Sequence, residues 1–248
     1  PFDLEVCTIY KSNRFLKQIH NNGERLSNAN VLLRETQKSL KVLTLEQIKL
    51  LLKHVLNATH RLMIRMGLQT GLRSEELRTF PSMYLFNPDN KKDIGNKIAL
   101  HCKYSEMKLK GNRSRIIHIP TLLMGDLWEY SIMDRPEREH RSKIIQKELF
   151  LTELGKPYSE SAISRIFSKI SDMIGFKVTP HMLRHSYATH TLHKMREANS
   201  KVDPLLYIRD RLGHSSVTTT ERYLHFLNVI QDDLIDGYQA EIDDLFTK

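Results

Sequence analysis

Residues 179–223 read TPHMLRHSYATHTLHKMREANSKVDPLLYIRDRLGHSSVTTTERY, and this stretch sets the fold class. Thr179 and Pro180 have the form of a helix N-cap followed by a first helical residue, as do Asp203 and Pro204. Gly213 has the form of the residue that closes a helix. From Ser159 onward the chain is therefore expected to be mainly helical. Upstream, Thr44-Leu45-Glu46-Gln47 is a capping box leading into Ile48, Leu51, Leu52, Val55 and Leu56. A second apolar helix follows through Leu62, Ile64, Met66 and Leu68, ending at Gly71.

Between these helical regions the pattern changes. Ile98, Leu100, Cys102 and Tyr104 alternate as in a strand. Met107 and Leu109 lead into Lys110-Gly111-Asn112-Arg113, and Arg115-Ile116-Ile117-His118-Ile119 follows, which predicts a hairpin with a basic tip at a Gly-Asn turn. Residues 134–143, DRPEREHRSK, read as a charged loop. The expected fold class is mainly α with a small antiparallel β-sheet.

The outer segments set the domain organisation. Residues 10–20 place Phe15, Leu16 and Ile19 on one face, as an amphipathic helix does, and residues 24–42 read as a linker. The division expected is 1–42 and 43–248. At the other end Leu227, Ile230, Leu234, Tyr238, Ile242 and Leu245 recur at helical steps, forming an amphipathic tail with an acidic outer face.

Composition excludes several classes. With 248 residues, 40% hydrophobic and 27% charged, the chain is neither collagen-like nor wholly disordered. No apolar run approaches the roughly 20 residues that cross a bilayer, so a cytoplasmic protein with no membrane partner is expected. Cys7 and Cys102 cannot by themselves make a disulfide framework or a zinc site. The formal charge is +9; residues 224–248 hold six acids against Lys248, a net −5, which leaves +14 on residues 1–223. A body that basic suits a polyanion such as nucleic acid.

Four segments carry chemistry: Thr70-Gly71-Leu72-Arg73-Ser74-Glu75-Glu76-Leu77, the turn at Lys110, His181-Met182-Leu183-Arg184-His185, and Leu212-Gly213-His214 with Tyr223 nine residues later. In this order they resemble the tyrosine recombinase (phage integrase) family, from about Leu43 to about His225, including Leu149-Phe150-Leu151-Thr152 and Gly155-Lys156-Pro157. The resemblance implies an integrase-like catalytic core with catalytic residues Arg73, Lys110, His181, Arg184, His214 and Tyr223, supported by Glu76. It implies that residues 1–42 hold the last helix of a truncated core-binding domain plus linker. It also implies double-stranded DNA as partner, possible accessory DNA-bending proteins, and a tetramer on DNA linked by the tail helix, whose apolar stripe otherwise packs against its own domain.

The residue types suit that chemistry on their own terms. A phosphodiester is an anion, and two guanidiniums can donate paired hydrogen bonds to its non-bridging oxygens, as a lysine cannot. Arg73 and Arg184 fit this role, and loss of either is expected to cost roughly 10²–10³ in rate. A free tyrosine has a pKa of about 10, so its phenolate at neutral pH costs about 4 kcal/mol unless cations stabilise it and a base takes the proton. His181 is the candidate base, Lys110 the donor to a leaving 5′-oxygen, and His214 a hydrogen-bond donor to the phosphate. The product is a 3′-phosphotyrosyl bond at Tyr223. One phosphoester replaces another, so no ATP is expected to be required, and no metal or other cofactor is expected because the arginines do the charge neutralisation.

Alternatives stand beside these residues. Lys108, Arg113 and Lys103 are rivals to Lys110, and Tyr187, Tyr207 and Tyr238 share the intrinsic chemistry of Tyr223. His181, His185, His190 and His193 invite a zinc reading, but Met182 stands where a metalloprotease motif needs Glu. His185, His190 and His193 are read instead as helix-surface or DNA-facing residues, and basic residues in 108–115 and 135–143 as candidate groove contacts. The function expected is a site-specific recombinase serving a mobile genetic element. Its rivals are a type IB topoisomerase and a catalytically silent DNA-binding relative.

Overall fold

The computed structural model describes residues 41–91, 94–229 and 245, without side-chain detail for residue 218 and residues 225–229. The helix expected over 10–20, most of the linker, Cys7, Tyr238 and most of the tail stripe lie outside the described residues.

Helices α1 (Leu45–His54) and α2 (Ala58–Thr70) begin at the side-chain caps Thr44 and Asn57, and Thr44 forms the expected capping box with Gln47. Gly71 ends α2 in the left-handed region at φ 67°. A methyl group here would meet Tyr187 at 2.4 Å and Leu212 at 2.7 Å, so helices that converge on this point leave room only for glycine. The short α3 (Ser74–Arg78) follows at once, with Arg73 at its N-cap.

Strands β1 (Lys97–Cys102) and β2 (Arg115–Pro120) pair antiparallel, with Cys102 opposite Arg115 and Lys97 opposite Pro120. The expected tight hairpin is therefore a longer excursion over residues 103–114. Tyr104, Met107 and Leu109 are not in strands. Met107 and Leu109 sink into the main core, and the Lys108 N–H donates to the Thr79 hydroxyl at 3.2 Å rather than to a neighbouring strand. The basic turn survives as a single 3₁₀ turn at Lys110–Asn112, with Gly111 and Asn112 at positive φ.

Helix α4 (Thr121–Ile132) is followed directly by α5 (Asp134–Ser142), where the sequence suggests a charged loop. Arg135 pairs with Glu139 at 3.1 Å and Arg141 pairs with Glu137, both at helical i,i+4 spacing. The buried Arg135 and Arg138 guanidiniums donate to the backbone carbonyls of Glu148 and Leu151. These two arginines are structural ties, not groove contacts.

Helix α6 (Glu160–Ile174) packs on α1. Helix α7 (Pro180–Glu197) is the centre of the fold, in contact with α2, with α8 (Pro204–Leu212) and with α9 (Thr218–Val229). Its central position explains its buried polar residues. Ser186 accepts from the Leu43 N–H at 2.9 Å, and the His190 Nε2 lies 2.9 Å from the Leu43 carbonyl oxygen. His190 is thus fully buried, which corrects its reading as a helix-surface or DNA-facing residue, whereas His193 is half-buried with its Nδ1 3.4 Å from Glu197 one turn along. Beside the main core a smaller cluster forms from Tyr187, Ala188, Leu192, Ile208, Leu212 and Tyr223. The candidate site lies above it.

Candidate active site

The backbone ends of α2 and α8 organise the site. Arg184, on the first turns of α7, is 2% exposed and donates from Nη1 to the Gly71 carbonyl at 2.8 Å and from Nη2 to the Leu212 carbonyl at 2.7 Å. Arg73 donates to the same Leu212 oxygen at 3.3 Å. Both acceptors sit at helix C-termini, where unsatisfied carbonyls carry partial negative charge. The glycines of the Thr70-Gly71 and Leu212-Gly213 motifs thus end two helices so that their last carbonyls hold the two guanidiniums.

Behind the arginines lies Glu76, 1% exposed. Its Oε1 accepts from Arg73 Nη1 and Arg115 Nη1, each at 3.0 Å. Its Oε2 accepts from the Arg73 backbone N–H at 2.8 Å and from Arg115 Nη2 at 2.6 Å. Every lone-pair position of the carboxylate is filled. Burial alone would raise its pKa, but Arg115, followed by the Arg73 N–H and the Arg184 charge, brings it down to about 2. Two guanidiniums share this one carboxylate and the Arg184 charge lies near it, so positive charge is left over. Burial and the Arg73 charge press Arg184 down to about 9, which still leaves it charged at neutral pH.

The surplus charge lines a cavity of about 430 Å³. Its walls carry the cations Arg73, Lys110, Arg113, Arg184 and Arg222, the histidines His181, His185 and His214, and Tyr223, and no carboxylate among the described residues. Such a cavity attracts an anion and keeps the nearby imidazoles neutral. His214 falls to about 3 through burial, then Arg184 and Arg73; His181, exposed at the cavity mouth but partly desolvated there, is lowered by that desolvation, then by Arg184, Arg73, Arg222 and Lys110. The His214 Nδ1 lies 3.0 Å from the buried Thr220 hydroxyl; with that hydroxyl as donor, Nε2 carries the hydrogen.

Tyr223 is 3% exposed, its ring stacked parallel to His214 at 6.3 Å between centroids. Burial raises its pKa against the pull of Arg184, Arg222 and Arg73, so the resting group is the phenol. Its hydroxyl lies 3.0 Å from the His185 Nδ1. The sequence reading gave the proton-accepting position to His181 and placed His185 on a helix surface. In the structure His185 is half-buried and holds the hydroxyl, while His181 is exposed and meets the His185 ring edge-on at 4.1 Å. His181, Arg184 and His185 share one face of α7 at i, i+3 and i+4, a spacing in the sequence compatible with a role for His185.

Of the rival residues, Tyr187, Tyr207, Lys108 and Lys103 lie elsewhere. Tyr187 is buried in the small core, and the Tyr207 hydroxyl is 2.7 Å from the His118 Nδ1. Lys108 pairs with Glu75 at 3.6 Å and Lys103 with Glu106 at 3.2 Å, whereas the exposed Lys110 lines the cavity. Arg113 lines it too. Arg115, a candidate groove contact from sequence, is 7% exposed at its side chain and committed to Glu76 and to the Arg211 carbonyl at 3.0 Å. Among the described residues no three His, Cys, Asp or Glu side chains are grouped so as to hold a metal ion.

Residues 41–228 match the model of the phage integrase family, and the chain belongs to that family. A tyrosine recombinase of Agathobacter rectalis is 31% identical over 129 residues, covering 51% of this chain and 38% of that protein. Tyrosine recombinase XerD of Staphylococcus saprophyticus is 34% identical over 118 residues, covering 47% of this chain and 37% of its own length. The chain thus spans about two fifths of the length of these relatives. The crystal structure of XerH site-specific recombinase bound to difH substrate shares the fold, with TM-score 0.55 and 23% identity over 75% of this chain and 50% of that one. No helix among the described residues is long and apolar enough to cross a membrane.

Proposed function

We propose that residues 43–248 form the catalytic domain of a site-specific DNA recombinase in which Tyr223 is the nucleophile. The observation that carries this reading is the placement of the Tyr223 hydroxyl in the wall of a cavity that holds five cations and no carboxylate. Arg73 and Arg184 bind the non-bridging oxygens of a DNA phosphodiester, and their charge stabilises the pentacovalent transition state. His214 donates from Nε2 to the same phosphate. The Tyr223 oxygen bonds to phosphorus, the 5′-oxygen departs with a proton from Lys110, and the phenolic proton passes to His181. The entering anion offsets the cations that depress the histidines, so His181 becomes a stronger base when substrate is present. Attack by the freed 5′-hydroxyl of another strand on the 3′-phosphotyrosyl bond reverses the step and joins new ends.

A recombinase acts through several copies. We propose that the tail makes the contact between copies; Leu245 packs on the main core of its own chain, its carbonyl accepting from Arg61 at 3.2 Å, and an exchanged tail would take that same place. Deleting residues 228–248 then weakens assembly on DNA and leaves single-strand cleavage in place.

Supercoiled plasmids carrying paired sites discriminate the reading from its rivals. Deleted or inverted products support recombination. A ladder of relaxed topoisomers without exchange means a type IB topoisomerase. Binding with no change in the DNA means a silent relative.

A further inference from the structure

We propose that His185 is a positioning residue for the nucleophile: its Nδ1 accepts the Tyr223 hydroxyl hydrogen and fixes the phenolic oxygen in the cavity wall ahead of attack. This rests on the recombinase reading above and adds to it a residue outside the Arg73, Lys110, His181, Arg184, His214 and Tyr223 set.

The geometry carries it. Packing fixes the Tyr223 ring in the small core but leaves the hydroxyl free to rotate about its C–O bond. A buried hydroxyl needs a partner, and among the described residues that partner is His185, 3.0 Å away. The bond crosses from α7 to α9, so it ties the helix bearing the phosphate-binding Arg184 to the helix bearing the nucleophile. His185 follows Arg184 directly in the chain, so a shift of one moves the other.

The chemistry of the imidazole agrees. To accept from the phenol, Nδ1 must be unprotonated and Nε2 must carry the hydrogen. The charged and titratable groups around His185 are His181 and Arg184 on its own helix, Arg222 and Tyr223 on α9, and His214 between α8 and α9. With no carboxylate among them, nothing favours an imidazolium at this position. His181, exposed and edge-on to His185, stays free to meet the phosphate and take the proton. The two histidines thus divide the work: His185 holds the resting hydroxyl, and on attack the hydroxyl turns about its C–O bond and releases its proton to His181.

The test compares His185→Ala and His185→Asn with the unaltered chain on a supercoiled plasmid library, scoring the rate of SDS-resistant protein–DNA adduct. Asn places a carbonyl oxygen close to where Nδ1 lies but does not titrate. His185→Ala is expected to slow adduct formation roughly ten- to a hundredfold with plasmid binding unchanged, and His185→Asn to restore it to within about threefold. The rate–pH profile of His185→Asn is expected to keep the limb of the unaltered chain, since that limb belongs to His181. An unchanged rate in His185→Ala overturns the proposal, and so does loss of that limb in His185→Asn, which would make His185 the proton acceptor. Absence of adduct from the unaltered chain overturns the recombinase reading itself. The hydrogen bond is then judged separately by ¹⁵N NMR of the DNA-free chain: an unprotonated His185 Nδ1 whose shift changes in Tyr223→Phe supports the contact, and a protonated or insensitive Nδ1 overturns it.

Discussion

Arg115 grips Glu76 with two charged hydrogen bonds, Nη1 to Oε1 at 3.0 Å and Nη2 to Oε2 at 2.6 Å, and both side chains are almost wholly out of water. The same carboxylate holds Arg73, so β2 and Arg73 are braced through one residue. Glu76→Gln would turn an amide N–H₂ toward a guanidinium, donor against donor. The expected loss is about 3–5 kcal/mol of stability, read by denaturant unfolding, because a buried charge is left unpaired. Glu76 titrates near 2 when folded and near 4.5 otherwise, so its contribution is complete above pH 4.5 and is lost as pH falls toward 2. A Gln variant as stable as the parent at neutral pH would show that the pair contributes nothing.

Two glycines at positive φ differ in their surroundings. A methyl at Gly71 meets Tyr187 and Leu212 below 3 Å, deep in the packed junction of α2, α7 and α8. At Gly213 the first atom met is the Arg115 Cδ at 3.0 Å, a tight contact with a side chain tied to Glu76 but a milder one than those at Gly71. Gly213→Ala should cost about 1–2 kcal/mol for the left-handed backbone alone, and Gly71→Ala clearly more because overpacking adds to it. Thermal melts of the two variants decide the order; equal losses would contradict it.

Histidine burial sets a pH dependence. Burial and neighbouring positive groups hold both His185 and His214 near 3, against an ordinary value of 6.5. Below pH 6.5 the unfolded chain binds protons that the folded chain refuses, so this contribution is whole above 6.5 and is lost as pH falls through 3. Unfolding free energy should drop between about pH 7.5 and pH 5, and drop less in His214→Asn. Equal pH slopes in parent and variant would count against it.

Lys110 and Lys108 are two residues apart and face different partners. Lys110→Ala should slow cleavage by roughly 10²–10⁴, the usual range for a general acid, and Lys108→Ala should leave it nearly unchanged. A substrate with sulfur in place of the bridging 5′-oxygen leaves without a proton and should restore the Lys110→Ala rate. If the sulfur substrate fails to restore it, Lys110 acts through charge and not as the donor.

How far the sequence was legible follows the range of each interaction. Thr44, Thr179, Asp203, Gly71 and Gly213 act on residues within a turn, so the helix ends they mark were readable. Helix α5 was missed because its stabilisation is not apolar: its i,i+4 pairs were visible, but the burial of Arg135 and Arg138 depends on carbonyls 13 residues further on. The apolar run at Met107 and Leu109 looked like a strand because a short buried segment has no period of its own. In the site, residue types and their order identified Arg73, Lys110, His181, Arg184, His214 and Tyr223 as one group, and the cavity brings them together. Arg115 escaped because its partner Glu76 is 39 positions away. His185 is not marked by the sequence alone, because its i,i+4 spacing from His181 equally suits a metal pair or a helix surface.

The most direct measurement of the central claim mixes the chain with a supercoiled plasmid library in EDTA, denatures with SDS and probes for protein joined to DNA, beside Tyr223→Phe. The variant loses a hydroxyl and one hydrogen bond to His185, so its fold and DNA binding should persist. The expected result is an adduct from the unaltered chain, mapped by proteolysis to the peptide containing Tyr223, and none from Tyr223→Phe. An adduct that persists in Tyr223→Phe, or none from an unaltered chain that binds the same DNA tightly, would contradict it.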